Sequence, residues 1–197
     1  MEFRLIYRGA LPAETNKPRT KSKREIRSQI HPQLKELWNS HPALKVDRGN
    51  VYPGGRPFSE YFGDKYKVVS GGNHIHRFVP LITRENYHGC SLKILFLRRD
   101  MPGGIVKHGG DIDNRLKVLF DALRMPRETQ EVEDFPQPAD ENPCFCLLAD
   151  DQYIDEVAIT TDRLLSPVGA GGAIHDVVLV IHVAASLYDP ERDLAAR

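Results

Sequence analysis

Alternating apolar and polar residues predict most of the β-strands of this chain. Near the N-terminus, Phe3, Leu5 and Tyr7 alternate with polar or charged neighbours, which predicts a first strand over residues 2–8. The same alternation, or a continuous apolar run, predicts further strands over residues 75–83, 91–98, 153–161 and 175–184. We expect the last of these in the centre of a sheet with both faces covered, and His182 within it as a satisfied core residue.

Two stretches have apolar residues at helical spacing. In the first, Ser22 and Glu25 have the spacing of a capping box that begins a helix. Pro32 is expected to interrupt that helix or to begin a second segment at His31. One face of this helix is apolar and comprises Ile26, Ile30, Leu34, Leu37 and Trp38. We assign Trp38 to the core rather than to base stacking.

The second helical stretch follows a glycine turn and a group of acids. Its apolar residues, Leu116, Leu119, Phe120 and Leu123, fall at i, i+3, i+4 and i+7, which predicts one buried stripe. Two helices among several strands predict a single α/β domain over residues 1–197, with a mixed β-sheet and two principal helices.

Two long excursions interrupt this pattern, at about residues 45–74 and 126–146. The first is rich in glycine, and its aromatic residues are interleaved with basic ones, so it either packs against the body of the protein or stacks on exposed nucleotides. Its aromatic residues are Tyr52, Phe58, Tyr61, Phe62 and Tyr66. The second is acidic and proline-rich, which predicts a mobile solvated insertion, with a cover over a DNA groove as the alternative.

The charge is divided unevenly along the chain. The net charge is zero, yet residues 1–127 hold 24 of the 27 Lys and Arg residues and only 12 of the 27 acidic residues. Positive surface of this kind follows nucleic-acid phosphates, although a solvated face is the plain alternative. The candidate DNA-binding residues are Lys17, Arg19, Lys21, Lys23, Arg24, Arg27, Arg98, Arg99, Lys107 and Arg115.

Other features narrow the class of protein. No apolar run has the length of a membrane span or the form of a signal peptide, so we expect a cytoplasmic protein that does not enter a membrane. Cys90, Cys144 and Cys146 are expected to be reduced thiols. The pair His74 and His76 gives only a weak indication of a metal site.

Two groups of acids carry the candidate chemistry. Asp111 and Asp113 stand at the start of the second helix, and Asp150 and Asp151 directly precede a predicted strand. Carboxylates held together stay ionised near neutral pH only when a cation shares the site, and oxygen ligands favour Mg²⁺ or Mn²⁺. Such a site suits hydrolysis of a phosphodiester. The plain alternative is a capped helix in which Lys117 bridges Asp113 and Asp121.

These residues resemble the RusA-type crossover junction endodeoxyribonucleases, a family that resolves Holliday junctions. The resemblance is carried by four features: the sequence Asp-x-Asp-Asn at residues 111–114, Lys117 three residues after Asn114, the sequence Phe-Asp-Ala-Leu at residues 120–123, and Asp150-Asp151 before a strand. It implies that Asp111, Asp113 and Asp151 are catalytic metal ligands, with Asp150 beside them. It also implies a functional role for Lys117, a RusA-like fold and a homodimer.

The predicted function is therefore a Mg²⁺-dependent (or Mn²⁺-dependent), structure-selective DNA endonuclease that resolves Holliday junctions in recombination and repair. The predicted partner is branched DNA, and a junction with two symmetric strands to cut favours a homodimer. Two alternatives stay open. One is a nuclease of the same chemistry acting on other branched or foreign DNA, and the other is a non-catalytic nucleic-acid-binding protein.

Overall fold

The structure of the chain is a computed structural model. The structure describes residues 1–11, 19–41, 44, 67–69, 74–83, 87–99, 112–127, 129–132, 137–165 and 176–187.

The larger sheet has four strands. Their order across the sheet is β1 (Glu2–Ala10), β7 (Asp176–Leu187), β4 (Tyr87–Arg98) and β6 (Ile154–Arg163). β7 is antiparallel to both β1 and β4, whereas β4 and β6 are parallel, so the sheet is mixed. All four strands were predicted from their alternation or their apolar runs.

The smaller sheet has three strands, in the order β2 (Lys67–Val69), β3 (Ile75–Ile82) and β5 (Cys144–Leu148). β2 and β3 are antiparallel, and β3 and β5 are parallel. The α/β class with mixed strand directions and two helices is thus confirmed, although the strands are divided between two sheets. β5 was not predicted, because residues 144–146 were assigned to the acidic excursion, yet all five of its residues are buried.

The first helix, α1 (Arg19–Ser40), contradicts two predictions about its boundaries. It begins three residues before Ser22, so the predicted capping box does not begin it. It also continues through Pro32 without a break. Ile30 and Leu34 on either side of the proline are fully buried, and this packing offsets the loss of one backbone donor at the exposed Pro32.

The second helix, α2 (Ile112–Leu123), has the predicted apolar stripe. Leu116, Leu119 and Leu123 are buried in the same core as the inner faces of β1, β4 and β7. α1 packs against α2, β1 and β5, and the predicted core position of Trp38 is confirmed by its exposed fraction of 5%. The helices and the four-stranded sheet therefore share one core.

β7 lies in the interior of its sheet, as predicted, but only one of its faces is fully buried. Val177, Leu179 and Ile181 are buried, whereas the alternate residues are only partly covered. His182 is on the partly covered face, with its Nε2 3.2 Å from Glu2 Oε2. The prediction that His182 is a core residue was wrong, because a continuous apolar run does not reveal how well its second face is covered.

Side chains of α1 satisfy backbone groups at the edges of both sheets. Gln33 accepts a hydrogen bond from the Ile6 amide and donates one to its carbonyl, and Gln29 does the same with Arg8. In the smaller sheet, the Phe145 amide of β5 donates to His31 Nδ1. Covering an edge in this way prevents it from pairing with another chain.

The three cysteines are free and buried, in agreement with the predicted thiols. Burial raises the pKa of Cys90 and of Cys144 to about 12. Neither thiol is therefore a reactive nucleophile at neutral pH.

Candidate functional site

The second acid pair lies where β5 ends. The Ala149 amide donates to the Ile82 carbonyl, which extends the pairing of β5 with β3 by one residue. Asp150 then accepts a hydrogen bond from the Gln152 amide at 3.0 Å and caps the short 3-10 turn Asp151–Tyr153. The chain enters β6 at Ile154, so the predicted order of acid pair and strand is confirmed.

A cation of the chain itself lies between these two carboxylates. Arg127 Nη2 contacts Asp150 Oδ2 and is 2.7 Å from Asp151 Oδ1. A single guanidinium nitrogen is therefore ion-paired with one oxygen of each carboxylate. The side chains of Arg127, Asp150 and Asp151 are 47%, 26% and 45% exposed, so the group is open to solvent.

Backbone register explains why Arg127 meets these acids. Arg124 forms a parallel bridge with Leu148, and the Met125 amide donates to the Leu148 carbonyl at 2.8 Å. Residues that follow the two bridge partners run in the same direction, and by this register Arg127 falls level with Asp151 and one residue beyond Asp150. Sequence reasoning missed Arg127, and only a prior assignment of β5 as a strand would have indicated it.

Electrostatics favour the ionised form of Asp150. Burial acts to raise the pKa of this carboxyl, but the Gln152 amide, the neighbouring Asp151 and the Arg127 guanidinium together hold it below its ordinary value. Asp150 is therefore a carboxylate at neutral pH, which a cation requires of its ligand.

An open depression of about 620 Å³ lies over the acid pair. Its wall includes Phe120 from α2 and Val157 from β6, together with Arg127 and the two acids. Phe120 is partly buried against the core, so α2 reaches the depression at the edge of its apolar stripe.

The predicted residues of α2 precede Phe120 at helical spacing, and they do not themselves line the depression. Asp113 is exposed in the first turn, and its Oδ1 accepts a hydrogen bond from the Asn114 amide at 2.8 Å. Lys117 is exposed, four residues after Asp113 and three before Phe120. Residues at these spacings are neighbours on a helix surface, so Lys117 lies between Asp113 and Phe120 on α2.

The ion pairs of the plain helix-cap interpretation are not formed. Among the described residues, Lys117 makes no salt bridge to Asp113 or Asp121. Asp121 instead pairs with Lys23 at 2.7 Å and with Arg124 at 3.1 Å. The alternative in which Lys117 bridges the two acids is therefore not what this structure contains.

The four predicted metal ligands are only partly placed. Asp111 lies outside the described residues, and Asp150 and Asp151 are brought together. Asp113 does not join them as a third ligand, so the predicted meeting of the two acid groups is not seen for this residue. In the described part of the chain, no three His, Cys, Asp or Glu side chains are close enough to form a metal site. This finding covers His74 and His76, the weaker metal candidates.

Lys23 and Arg27, both predicted to bind DNA, are buried and have internal partners instead. Lys23 is 7% exposed and pairs with Asp121. Arg27 is 8% exposed, and its Nη2 donates to the Asp121 carbonyl at 2.7 Å. Their spacing from Ile26, Ile30 and Leu34 puts them beside the buried stripe of α1. The sequence therefore indicated that they are buried, but the prediction of DNA contacts considered only the number of basic residues.

The other basic candidates differ in their exposure. Lys21 and Arg24 are exposed on α1, Arg98 is buried, Arg99 is partly buried, and Arg115 donates to the Leu11 carbonyl at 2.8 Å. Lys17, Lys107 and the side chain of Arg19 lie outside what the structure describes. Lys21 and Arg24 are thus the exposed basic candidates of this set within the described side chains.

The acidic excursion is folded where the structure describes it. It contains the 3-10 turns Thr129–Glu131 and Ala139–Glu141. Gln137 exchanges hydrogen bonds with the Arg77 backbone of β3, and His31 of α1 bonds to the Asp140 carbonyl. These parts pack on β3 and α1, which differs from the predicted mobile insertion. The aromatic residues of the first excursion lie outside the described residues.

No family model, curated protein or solved structure matches this chain. Among the described helices, none combines the length and the apolar character needed to cross a bilayer.

Proposed function

We propose that this protein is a Mg²⁺-dependent, structure-selective DNA endonuclease that resolves Holliday junctions in recombination and repair in the cytoplasm. The observation that carries the proposal is the convergence of Asp150 Oδ2 and Asp151 Oδ1 on a single cationic nitrogen. Two carboxylate oxygens that meet at one positive atom define a position that another cation can take.

The donor set fits Mg²⁺ or Mn²⁺. Both ligands are carboxylate oxygens, the donors that these ions prefer, and the depression over them leaves room for water and a phosphate. When bound, the metal supplies a polarised phosphate and a hydroxide nucleophile. The resemblance implies Asp111 and Asp113 as further ligands, of which Asp113 does not group with Asp150 and Asp151 in this structure.

The remaining roles fall to residues of α2 and α1. Lys117, exposed on α2 three residues before Phe120 of the depression wall, stabilises negative charge that develops on the scissile phosphate. Lys21 and Arg24, exposed on α1, contact the DNA backbone and contribute to its salt-dependent binding. A homodimer would present two such sites to the two symmetric strands of a junction.

One observation favours a second candidate function, a nucleic-acid-binding protein without catalysis. Arg127 already pairs with both Asp150 and Asp151 and offsets one of their two negative charges, so each acid has a cationic partner without a metal. In that case the acids only position Arg127 and the turn that leads into β6.

Cleavage of a panel of DNAs tests the proposal. The purified protein is incubated with Mg²⁺ and four-way junctions, flaps, forks and linear duplex, and the same panel is used to measure binding. We expect junction cleavage by the unmodified protein, and its loss in Asp151→Asn with binding retained. Asp162→Asn, which changes an exposed acid of β6, is the matched control and should cleave normally.

The outcomes separate the candidates. Binding of DNA without cleavage at any Mg²⁺ or Mn²⁺ concentration would support the non-catalytic protein. Cleavage of flaps or forks in preference to junctions would keep the chemistry and change the substrate. Full activity of Asp151→Asn at saturating metal would remove the acid pair from the mechanism.

A further inference from the structure

Arg127 contacts both carboxylates of the proposed metal site. Its Nη2 stands where the oxygens of Asp150 and Asp151 meet, which is the position that the proposed metal would take. A guanidinium nitrogen and a divalent cation cannot share that point, because both need the same oxygen lone pairs and both are positive.

Only the side chain of Arg127 contacts the two acids. Its backbone is positioned separately, by the pairing of the preceding residues with β5. The Met125 amide bonds to the Leu148 carbonyl, and Arg127 follows two residues later. The guanidinium is 47% exposed, so it can leave the acids for solvent without any change in the core.

We propose that Arg127 is an internal counter-ion that competes with the divalent metal for Asp150 and Asp151, and thereby sets the metal concentration at which the site fills. This inference rests on the metal site of the proposed function. It adds a residue that the family resemblance does not supply.

The size of the effect follows from the exposure of the ion pair. An ion pair between a partly exposed carboxylate and an arginine is weak. Arg127 therefore contacts the acids most of the time but leaves them often enough for a metal ion to bind. Apparent affinity falls by the fraction of molecules in which the acids are available. Replacing Arg127 with an uncharged residue should therefore tighten metal binding by about 3- to 10-fold, including the relief of charge repulsion.

Direct titration with Mn²⁺ in the absence of DNA tests the competition. Binding is measured by the loss of the free Mn²⁺ electron paramagnetic resonance signal for the unmodified protein and for Arg127→Gln. Arg163→Gln is the matched control, because Arg163 is an exposed arginine at the far end of β6 and its loss changes the net charge equally. A third variant, Arg127→Gln combined with Asp151→Asn, reports whether the bound ion uses the acid pair.

Tighter Mn²⁺ binding in Arg127→Gln alone, lost again in the double variant, would support the inference. Equal affinity in the unmodified protein and in Arg127→Gln would overturn it while leaving the metal-dependent function standing. Equal tightening in Arg163→Gln would assign the effect to net charge and also overturn it. Absence of Mn²⁺ binding in every protein would instead overturn the proposed function, and the inference with it.

Discussion

Replacing Asp121 with Asn should destabilise the protein, because this carboxylate joins α1 to α2. It lies 2.7 Å from Lys23 Nζ and 3.1 Å from Arg124 Nη2, and the cationic side chains are only 9% and 7% exposed. Removal of the negative charge leaves Lys23 as a buried ammonium without a carboxylate. Arg124 is less affected, since it keeps Glu131 at 2.8 Å.

The magnitude follows from these partners. Loss of one member of a buried ion pair costs about 3–5 kcal/mol in the free energy of unfolding. We expect about 3 kcal/mol, the lower end of that range, because the Asp121 side chain is 19% exposed. For a chain of this length, that loss corresponds to a fall of about 6–12 °C in the thermal midpoint.

The stability that Asp121→Asn loses should also depend on pH. Burial acts to raise the pKa of Asp121, but Lys23 and Arg124 together hold it below its ordinary value. A lowered pKa stabilises the fold above the unfolded-state value of about 4 and ceases to do so as the pH falls through the folded-state value. The stability curves of the unmodified protein and of Asp121→Asn should therefore converge below about pH 4.

Urea unfolding followed by circular dichroism, at neutral pH and across the acid range, measures both effects. Glu36→Gln is the control, since Glu36 is an exposed acid on α1, and its loss should cost less than about 0.5 kcal/mol. A loss for Asp121→Asn no larger than that of the control would refute the assignment of a buried ion pair between the helices.

Two other substitutions probe the site and the core. Lys117→Met should lower single-turnover cleavage by about 10²- to 10³-fold without moving the thermal midpoint, because Lys117 is exposed and its proposed role is to stabilise transition-state charge; a normal rate would exclude that role. Burial lowers the pKa of His31, whose Nδ1 accepts the Phe145 amide, so stability should fall as the pH drops below about 6.5. His31→Gln should remove that part of the pH dependence in urea unfolding, and an unchanged slope would contradict the neutral ring.

Local sequence patterns correctly predicted the strands and the helix that each bury one regular face. Alternation along β1 and β4 and the stripe of α2 reflect one buried face each, and a sequence shows such a face directly. β5 was missed because its five apolar residues lack a period and follow a proline-rich acidic segment. The boundary signals at Ser22 and Pro32 failed because packing of α1 against the sheets outweighs local preference.

The candidate site divides in the same way. Asp150 and Asp151 were predicted at the start of a strand because the chain order alone places them there. Arg127 was not, because its contact depends on pairing between segments more than twenty residues apart. Lys23 and Arg27 were assigned to DNA because a count of basic residues does not distinguish the buried face of a helix from the exposed one.

Beside β5, main-chain hydrogen bonds hold the fold, whereas side chains alone form the charged site. The hydrogen bonds of Met125 and Ala149 hold the segments that carry Arg127, Asp150 and Asp151, and these bonds use no side-chain atom. Charge at those three positions can thus be altered at little cost to the main-chain ladder. Exchange of the guanidinium for another cation then requires only rotamer changes, which occur in picoseconds to nanoseconds for exposed side chains, so no slow loop opening need limit how fast the acid pair responds to its ionic surroundings.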